Sequence, residues 1–295
     1  MRAEDKIRQY MQEVGTATRP QIAEATGLSV VAVGKAVQQL CLNGEMRAAG
    51  RRPSGGGRPV ELYRYNARHA ACLLISVRRE GGLWVSTLAA LDMQGNVQTL
   101  EELRHTQIQP QSFDEHIDAL QKKKKLLGIY LQLPPELPQQ ELQTHLRGEY
   151  GCPVGIITGA EAVAEKQEET LTLLLQQGKT PSAVICRHGS LQSAGALHLL
   201  PCPTPWETLP YSDHTLVEEM VSRLLQQMLC LLQPARVYLF ADFWTERLVS
   251  RIRYNTSAKL QGMEQLPRLH FRALKADTLA VRMAKAAAAR AVLGK

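Results

Sequence analysis

The sequence predicts a multi-domain α/β protein, a winged helix-turn-helix over residues 1–68 followed by an α/β body over 69–295. Three observations predict it. Between Arg19 and Tyr65, two short helical segments separated by a glycine lead into a basic, glycine-rich hairpin. From Ala70 onward, apolar strand-like runs alternate with amphipathic helical ones. The charge is also uneven: residues 1–70 hold eleven Lys/Arg against six Asp/Glu, while the whole chain holds 35 against 28. Most of the positive excess therefore sits in the first quarter, as expected of a polyanion-binding segment on a near-neutral body.

In Ala3–Val14, Ile7, Tyr10, Met11 and Val14 share one helical face. Thr18 can cap a second helix over Arg19–Thr26, with Pro20 in its first turn, and Gly27 supplies the positive φ of the turn that follows. Ser29 caps a third helix whose inward stripe is Val33, Val37 and Leu40, ended by Asn43-Gly44. Val30, Val31, Gly34, Lys35 and Gln38 then face outward, where a recognition helix meets base edges. Lys35 and Gln38 are suited to hydrogen-bond bases, and the valines to pack on thymine methyls. Gly34 weakens that helix by about 1 kcal/mol relative to alanine, which fits a close backbone approach to phosphate or base. Strands Glu45–Ala49 and Val60–Tyr65 enclose the basic tip, and Arg51, Arg52, Gly56, Gly57 and Arg58 are expected on phosphates or in a minor groove. Arg19 and Gln21, at the start of the second helix, complete the expected contacts with double-stranded DNA.

In the body, strands are expected at Ala71–Val77, Leu83–Asp92, Val97–Arg104, Leu126–Leu133, Val154–Thr158, Ala183–Arg187, Ser193–Leu199 and Arg236–Phe240. Helices are expected at Phe113–Lys125, Gln139–Tyr150, Ala160–Gln177, His214–Leu232, Phe243–Tyr254 and Asp277–Leu293. Three consecutive strands before alternating units imply a mixed sheet. The Ala- and Leu-rich segments Ala160–Gln177 and Asp277–Leu293 are candidates for packing between subunits of a homodimer.

The segments SGGGRPVELYRYN, ACLLISV, LDMQGNV, PVGIITGAEAVAEKQEE and ADTLAVRMAKAAAARAVL resemble the ROK family of repressors, uncharacterised frames and sugar kinases. The resemblance covers nearly the whole chain. It implies an actin-like, ribonuclease H-like body of the sugar-kinase type, usually dimeric, serving transcription that responds to a sugar or sugar phosphate. The departures from the kinase pattern matter most. An Asp-Gly-Gly-Thr-like phosphate turn is replaced by Ser76-Val77-Arg78-Arg79-Glu80, and the Asn-Asp pair of the catalytic base by Thr158-Gly159. A second phosphate loop, expected after Ala183–Arg187, reads His188-Gly189-Ser190-Leu191-Gln192-Ser193-Ala194-Gly195, and the family's zinc-binding histidine and cysteine cluster is missing. Phosphoryl transfer needs base, metal and positioned phosphates together, so no catalytic residue, cofactor or metal is expected.

Thr158, Glu161, His188, Ser190 and Gln192 are the expected effector-binding residues, since the two-lobed fold would gather them at its cleft. Glu161 is also the one displaced candidate for a kinase base, against its plainer role as an acid in a helix's first turn. Cys186 and His188, with His198 and Cys202, match no standard zinc spacing. Lys122–Lys125 reads as a solvated helix end, with a second anion contact as the alternative. The six cysteines form no CxxC pair, no leader pattern is present and no apolar run approaches a membrane span, so a cytoplasmic protein with reduced thiols is expected. The expected function is a non-enzymatic transcriptional regulator. The alternatives are a sugar kinase with an atypical base and a protein-interaction module.

Overall fold

The computed structural model describes residues 2–52, 59–134, 136–193, 204–259 and 267–293. The expected tip residues Gly56, Gly57 and Arg58, together with His198 and Cys202, lie outside the described residues. The chain divides into two compact units, Met1–Ile157 with Ala284–Lys295, and Thr158–Met283.

The first unit begins with α1 (Ala3–Val14), β1 (Thr16–Thr18), α2 (Arg19–Thr26), α3 (Val30–Leu42), β2 (Met46–Arg52) and β3 (Val60–Tyr65). The three strands form a small antiparallel sheet in the order β1-β3-β2. Ile7, Met11, Ile22, Val33, Val37, Leu40, Met46 and Tyr63 are all buried, so the helical stripes of the sequence become one core. Helix limits follow their caps. Thr18 and Gln21 form a capping box at the start of α2, Gly27 ends it in the left-handed region, and the Ser29 hydroxyl accepts from the Ala32 amide at 3.2 Å.

A five-stranded sheet follows, built from β4 (Ala71–Glu80), β5 (Leu83–Leu91), β6 (Val97–His105), β7 (Leu126–Gln132) and β8 (Val154–Ile156), in the order β6-β5-β4-β7-β8. The first three strands pair antiparallel, while β7 and β8 join in parallel through α4 (Asp114–Gln121) and α5 (Gln139–Tyr150). Phe113, Ile117, Ile129, Leu131, Leu142 and Leu146 are fully buried between sheet and helices.

The second unit contains α6 (Gly159–Val163), β9 (Thr170–Leu175), β10 (Ser182–Arg187), β11 (Ser190–Ser193), α7 (His214–Leu232), β12 (Arg236–Ala241), α8 (Glu246–Lys259) and β13 (Arg268–Ala273). Its sheet runs β11-β10-β9-β12-β13, with β10 and β11 antiparallel and β12 and β13 parallel. The strand order of the first sheet is thus repeated in the second. The side chain of Asp213 accepts from the amides of Thr215 and Leu216 to start α7, and Val217, Val221, Leu224, Leu225 and Met228 bury one face of that helix.

The last helix, α9 (Ala276–Leu293), has its second half in the first unit. There Arg290 Nη1 donates to the Ile156 carbonyl at 2.7 Å. Gly95, in the β5–β6 turn at φ +82°, meets the α9 backbone so closely that a Cβ would lie 2.7 Å from Lys285 Cα. The same turn holds α1, since the Gln12 amide donates to the Met93 carbonyl and Gln94 Nε2 donates to the Gln12 carbonyl at 3.3 Å.

Several expected elements are corrected. One long helix over Ala160–Gln177 does not form: α6 stops at Val163, and Thr170–Leu175 is the central strand of the second sheet, buried along its whole length. This segment therefore cannot supply a helix to a subunit interface. The strand expected at Ser193–Leu199 begins at Ser190 and is described only to Ser193. Phe113–Lys125 is a 3-10 turn followed by a helix that ends at Gln121, so the lysine run lies beyond the last helical turn. Strand β13 was not expected, and α8 starts at Glu246 rather than Phe243.

Candidate nucleic-acid interface and effector residues

On α3, Val30 is 56% and Val31 71% exposed, and Ser29, Lys35 and Gln38 are exposed as well. Gly34 is half-buried, and a Cβ there would meet nothing within 4 Å. The outward face expected from the sequence is therefore presented, two uncovered β-branched side chains beside one cation and one amide. Large apolar groups left in water at a helix N-terminus are suited to an apolar partner such as a thymine methyl.

The ribbon β2–β3 carries a bulge. Ala48 pairs with Tyr63 but Arg51 pairs with Glu61, so one extra residue is accommodated, with Gly50 at φ +107°. Side chains alternate along a strand, so an extra residue changes which face the following ones occupy. Tyr63 and Tyr65 are buried toward the helices, and the bulge brings Arg51 onto that same face, opposite Glu61. Without the bulge Arg51 would lie on the solvent face. Arg52, opposite Val60, lies on the solvent face at the end of the described ribbon.

Two expected contacts have internal duties. Arg19 donates to the Tyr63 hydroxyl, lies 5.2 Å above the centroid of that ring and reaches Glu61 at 3.9 Å, so it fastens α2 to the ribbon. The Gln21 side chain accepts from the Thr18 amide at 2.9 Å within the capping box. Two exposed cations were not anticipated. Arg47 and Arg64 stand opposite one another across β2 and β3 on the solvent face. The alternation Tyr63-Arg64-Tyr65 carried that signal, since the tyrosines occupy the core face. Like charges placed directly opposite are unfavourable, so this pair adds positive field rather than stability.

The expected effector residues are held by two hydrogen-bond sets. Thr158 and Glu161 bond one another: the Thr158 amide donates to Glu161 Oε2 at 2.8 Å, and the Glu161 amide donates to the Thr158 hydroxyl at 3.2 Å. This capping box opens α6. His188 and Gly189 form a two-residue turn between β10 and β11, both with positive φ. Their amides donate to the Glu168 carboxylate at 2.7 and 3.1 Å, which holds the Glu168 carboxyl below its ordinary pKa. The Ser190 hydroxyl donates to the Arg187 carbonyl at 3.0 Å, and Gln192 pairs with Ile185 in the ladder. Cys186 is buried while His188 is in the turn, so the two do not continue one extended strand.

The kinase landmarks are altered in specific ways. Strand β4 runs on to Glu80, and a two-residue turn at Gly81-Gly82 replaces any wider phosphate loop. Arg78 there pairs with Glu80 at 3.2 Å and Glu102 at 2.9 Å. At Gly159, which the family resemblance sets at the place of the base, a Cβ would run into Leu174 Cδ2. Strand β9 is the counterpart of β4 in the repeated order, so the connection that matches the Gly81-Gly82 turn is the one between β9 and β10, at residues 176–181. In that loop the Gln177 amide donates to Asp242 Oδ1 at 3.3 Å, and the Thr180 hydroxyl bonds Glu207. Carboxylates of the chain itself thus take backbone amides both there and in the His188-Gly189 turn.

No protein-family profile matches the chain, and no curated protein matches it in sequence. Similarity to solved structures is extensive. A ROK family transcriptional regulator, described as a homologue of the E. coli MLC protein, superposes with a TM-score of 0.66 at 13% identity, over 98% of this chain and 96% of that one. A putative sugar kinase from Cytophaga hutchinsonii gives 0.52 at 12% identity, over 73% of this chain and 98% of that one. A ROK hexokinase from Thermus thermophilus gives 0.49 at 15% identity, over 74% and 97%. The structural neighbours thus include a ROK family transcriptional regulator and a putative sugar kinase, and the fold is a mixed α/β type consistent with actin-like sugar kinases. Among the described residues, no single helix is long and apolar enough to cross a membrane.

Proposed function

We propose that this protein is a DNA-binding transcriptional regulator, with a winged helix-turn-helix at residues 1–68 and a kinase-derived body that performs no phosphoryl transfer. The observation that carries this reading is the joint presentation of α3 and the bulged ribbon. An exposed Val30, Val31, Lys35 and Gln38 lie on the helix that follows the Gly27 turn, and Arg51 is brought to the helix-facing side of an arginine-bearing ribbon. Lys35 and Gln38 contact the major groove, and Arg51, Arg52 and Arg58 hold backbone or minor groove. Arg19 and Gln21 act by fixing α2, and Arg47 and Arg64 by their field. Coverage supports the same reading: the regulator spans 98% of the chain, while the sugar kinase leaves uncovered about a quarter, a share the size of residues 1–68.

The body is read as non-catalytic because a Cβ at Gly159 would meet Leu174, and because backbone amides of the β9–β10 connection and of the His188-Gly189 turn are already bonded to Asp242 and Glu168. It supplies homodimerisation, matching the two half-sites a winged helix reads, and a small sugar or sugar-phosphate effector acts through Thr158, Glu161, His188, Ser190 and Gln192. A cytoplasmic location follows from this role.

The test is binding to genomic DNA fragments at several salt concentrations. Sequence-selective affinity that falls steeply with salt supports the proposal, and absence of binding at low salt overturns it. ATP turnover across a sugar panel tests the kinase reading, and no turnover is expected.

A further inference from the structure

Strand β13 lies at one end of the second sheet, and among the described residues no further strand pairs with it. The Arg268 amide donates to the Ala235 carbonyl at 3.3 Å, and the Leu274 amide donates to the Ala241 carbonyl at 2.9 Å. In a parallel ladder alternate residues turn their backbone groups to the same neighbour. Arg268, His270 and Arg272 therefore bond β12, while the amides and carbonyls of Leu269 and Phe271 and the amide of Ala273 point outward along an open edge. Such an edge is a template for an added strand.

The two faces of β13 differ. Leu269 and Phe271 pack against the core shared by β12, α7 and α8. Arg268, His270 and Arg272 lie on the opposite face, about 6.6 Å apart in succession. His270 stacks on Tyr238 with centroids 4.6 Å apart, and Arg268 stands directly opposite Arg236. Neither β12 nor β13 carries an acidic residue. Arg268 and Arg272 are exposed and make no ion pair or side-chain hydrogen bond among the described residues. Like charges set opposite each other are unfavourable, so this face favours a negatively charged neighbour. Between β13 and helices α7 and α8 runs a groove of about 580 Å³, whose lining includes Leu229, Leu269, Arg253 and Ser257.

We propose that the open edge of β13 takes up an extended segment of a partner protein in which acidic residues alternate with apolar ones. Its main chain bonds Leu269 and Phe271, its carboxylates lie beside Arg268, His270 and Arg272, and the intervening side chains enter the groove toward Leu229 and Leu269. The period of the cations matches the side-chain period of a strand. A second copy of β13 is disfavoured, because an antiparallel pair centred on His270 would set Arg268 against Arg272 and imidazole against imidazole. A nucleic acid would satisfy the cations but leave the edge carbonyls unbonded. The surface belongs to the second unit and requires neither DNA binding nor an effector.

Fluorescence anisotropy of the full chain with a labelled peptide of alternating glutamate and valine tests the proposal. Saturable binding is expected, and Arg268→Gln with Arg272→Gln should weaken it about fivefold or more. Arg51→Ala with Arg52→Ala should leave it unchanged, which separates this surface from the proposed DNA contacts. The same peptide N-methylated along its backbone keeps its charge but cannot pair as a strand, and it should not bind. Equal binding of the methylated peptide would reduce the contact to charge alone and overturn the proposal. Absence of saturation overturns it, as does wild-type affinity in the Arg268→Gln, Arg272→Gln variant or loss of binding in the Arg51→Ala, Arg52→Ala one. Two further results would also overturn it. An oligothymidylate that binds more tightly than the peptide and is lost with Arg268 and Arg272 would give the face to nucleic acid. A homodimer that dissociates on sedimentation when those two arginines are replaced would give the edge to a second copy.

Discussion

Replacing Arg51 and Arg52 together by alanine tests the ribbon most directly. The bulge at Ala49-Gly50 brings Arg51 to the helix-facing side of the sheet, and Arg52 follows it at the end of the described strand. Each phosphate neutralised on B-DNA contributes about −0.9 to the slope of log K against log salt. Without these two cations the slope should therefore flatten by about 1.8. Between 1 M and 0.15 M salt each phosphate pairing amounts to about 5.5-fold in affinity, close to 1 kcal/mol, so the double variant should bind about 30-fold more weakly at 0.15 M. Near 1 M the two proteins should converge. Fluorescence anisotropy with a labelled duplex, from 50 mM to 400 mM potassium chloride, reads the slope. Arg104→Ala, an exposed arginine on β6 outside residues 1–68, is the matched control and should keep it. Parallel lines for wild type and double variant would refute the assignment of these arginines to phosphates, whatever the change in affinity.

Arg19→Lys removes the stacking on Tyr63 while keeping the charge. It should lower stability by about 1 kcal/mol in a thermal melt, and Arg19→Ala should leave the salt slope in place. A slope reduced by about 0.9 would show that Arg19 reaches DNA after all. Burial pushes the Glu45 carboxyl up, but the hydrogen bonds from Arg8 outweigh it, and its pKa lies below the ordinary value. A depressed folded pKa adds stability that is present above the unfolded value of about 4.3 and is lost as pH falls through the folded one. Glu45→Gln should cost about 2 kcal/mol at pH 7 and shrink the difference from wild type between pH 5 and the acid limit, read by urea melts across pH. A pH-independent difference would contradict the pairing. Gly159→Asp, which restores the acid at the kinase base position, should destabilise the second unit by about 1–3 kcal/mol through Leu174 and yield no ATP turnover. Turnover by that variant would show that the site is open.

Much of the N-terminal segment was legible in the sequence because its signals are local. Thr18, Gly27 and Ser29 are caps and turn residues, and the limits of α1, α2, α3 and β3 follow from them and from one periodic stripe. The second unit was harder for a definite reason. Thr-Leu-Thr-Leu-Leu-Leu is buried on both faces; its short Thr-Leu-Thr-Leu alternation ends in an apolar run that suits a strand or a buried helix alike, and it follows an Ala- and Glu-rich stretch of high helix propensity. Missing β9 hid the repeat of the strand order. Strand β13 was missed although Arg268-Leu269-His270-Phe271-Arg272 alternates polar and apolar residues, a strand signal that pairing with β12 makes good. The internal bonds of Arg19 and Gln21 depend on Tyr63, Glu61 and Thr18 meeting in space, and single-residue chemistry gives no sign of that for Arg19. Gln21 three residues after Thr18 did carry the capping-box spacing.

The packing of Gly95 against the backbone of Lys285, beside the Arg290–Ile156 bond, bears on how the protein is made. The first unit is closed by residues that lie almost two hundred positions after Gly95. During synthesis at about 5–20 residues per second, the N-terminal helices and the first sheet must wait many seconds for α9 to emerge, with their α9-facing surface uncovered. Pairings of such long sequence separation form late, because the loop entropy is given up before they return any stability. A nascent chain ending before residue 284 should therefore expose apolar surface to chaperones even though every residue proposed to meet DNA is already present.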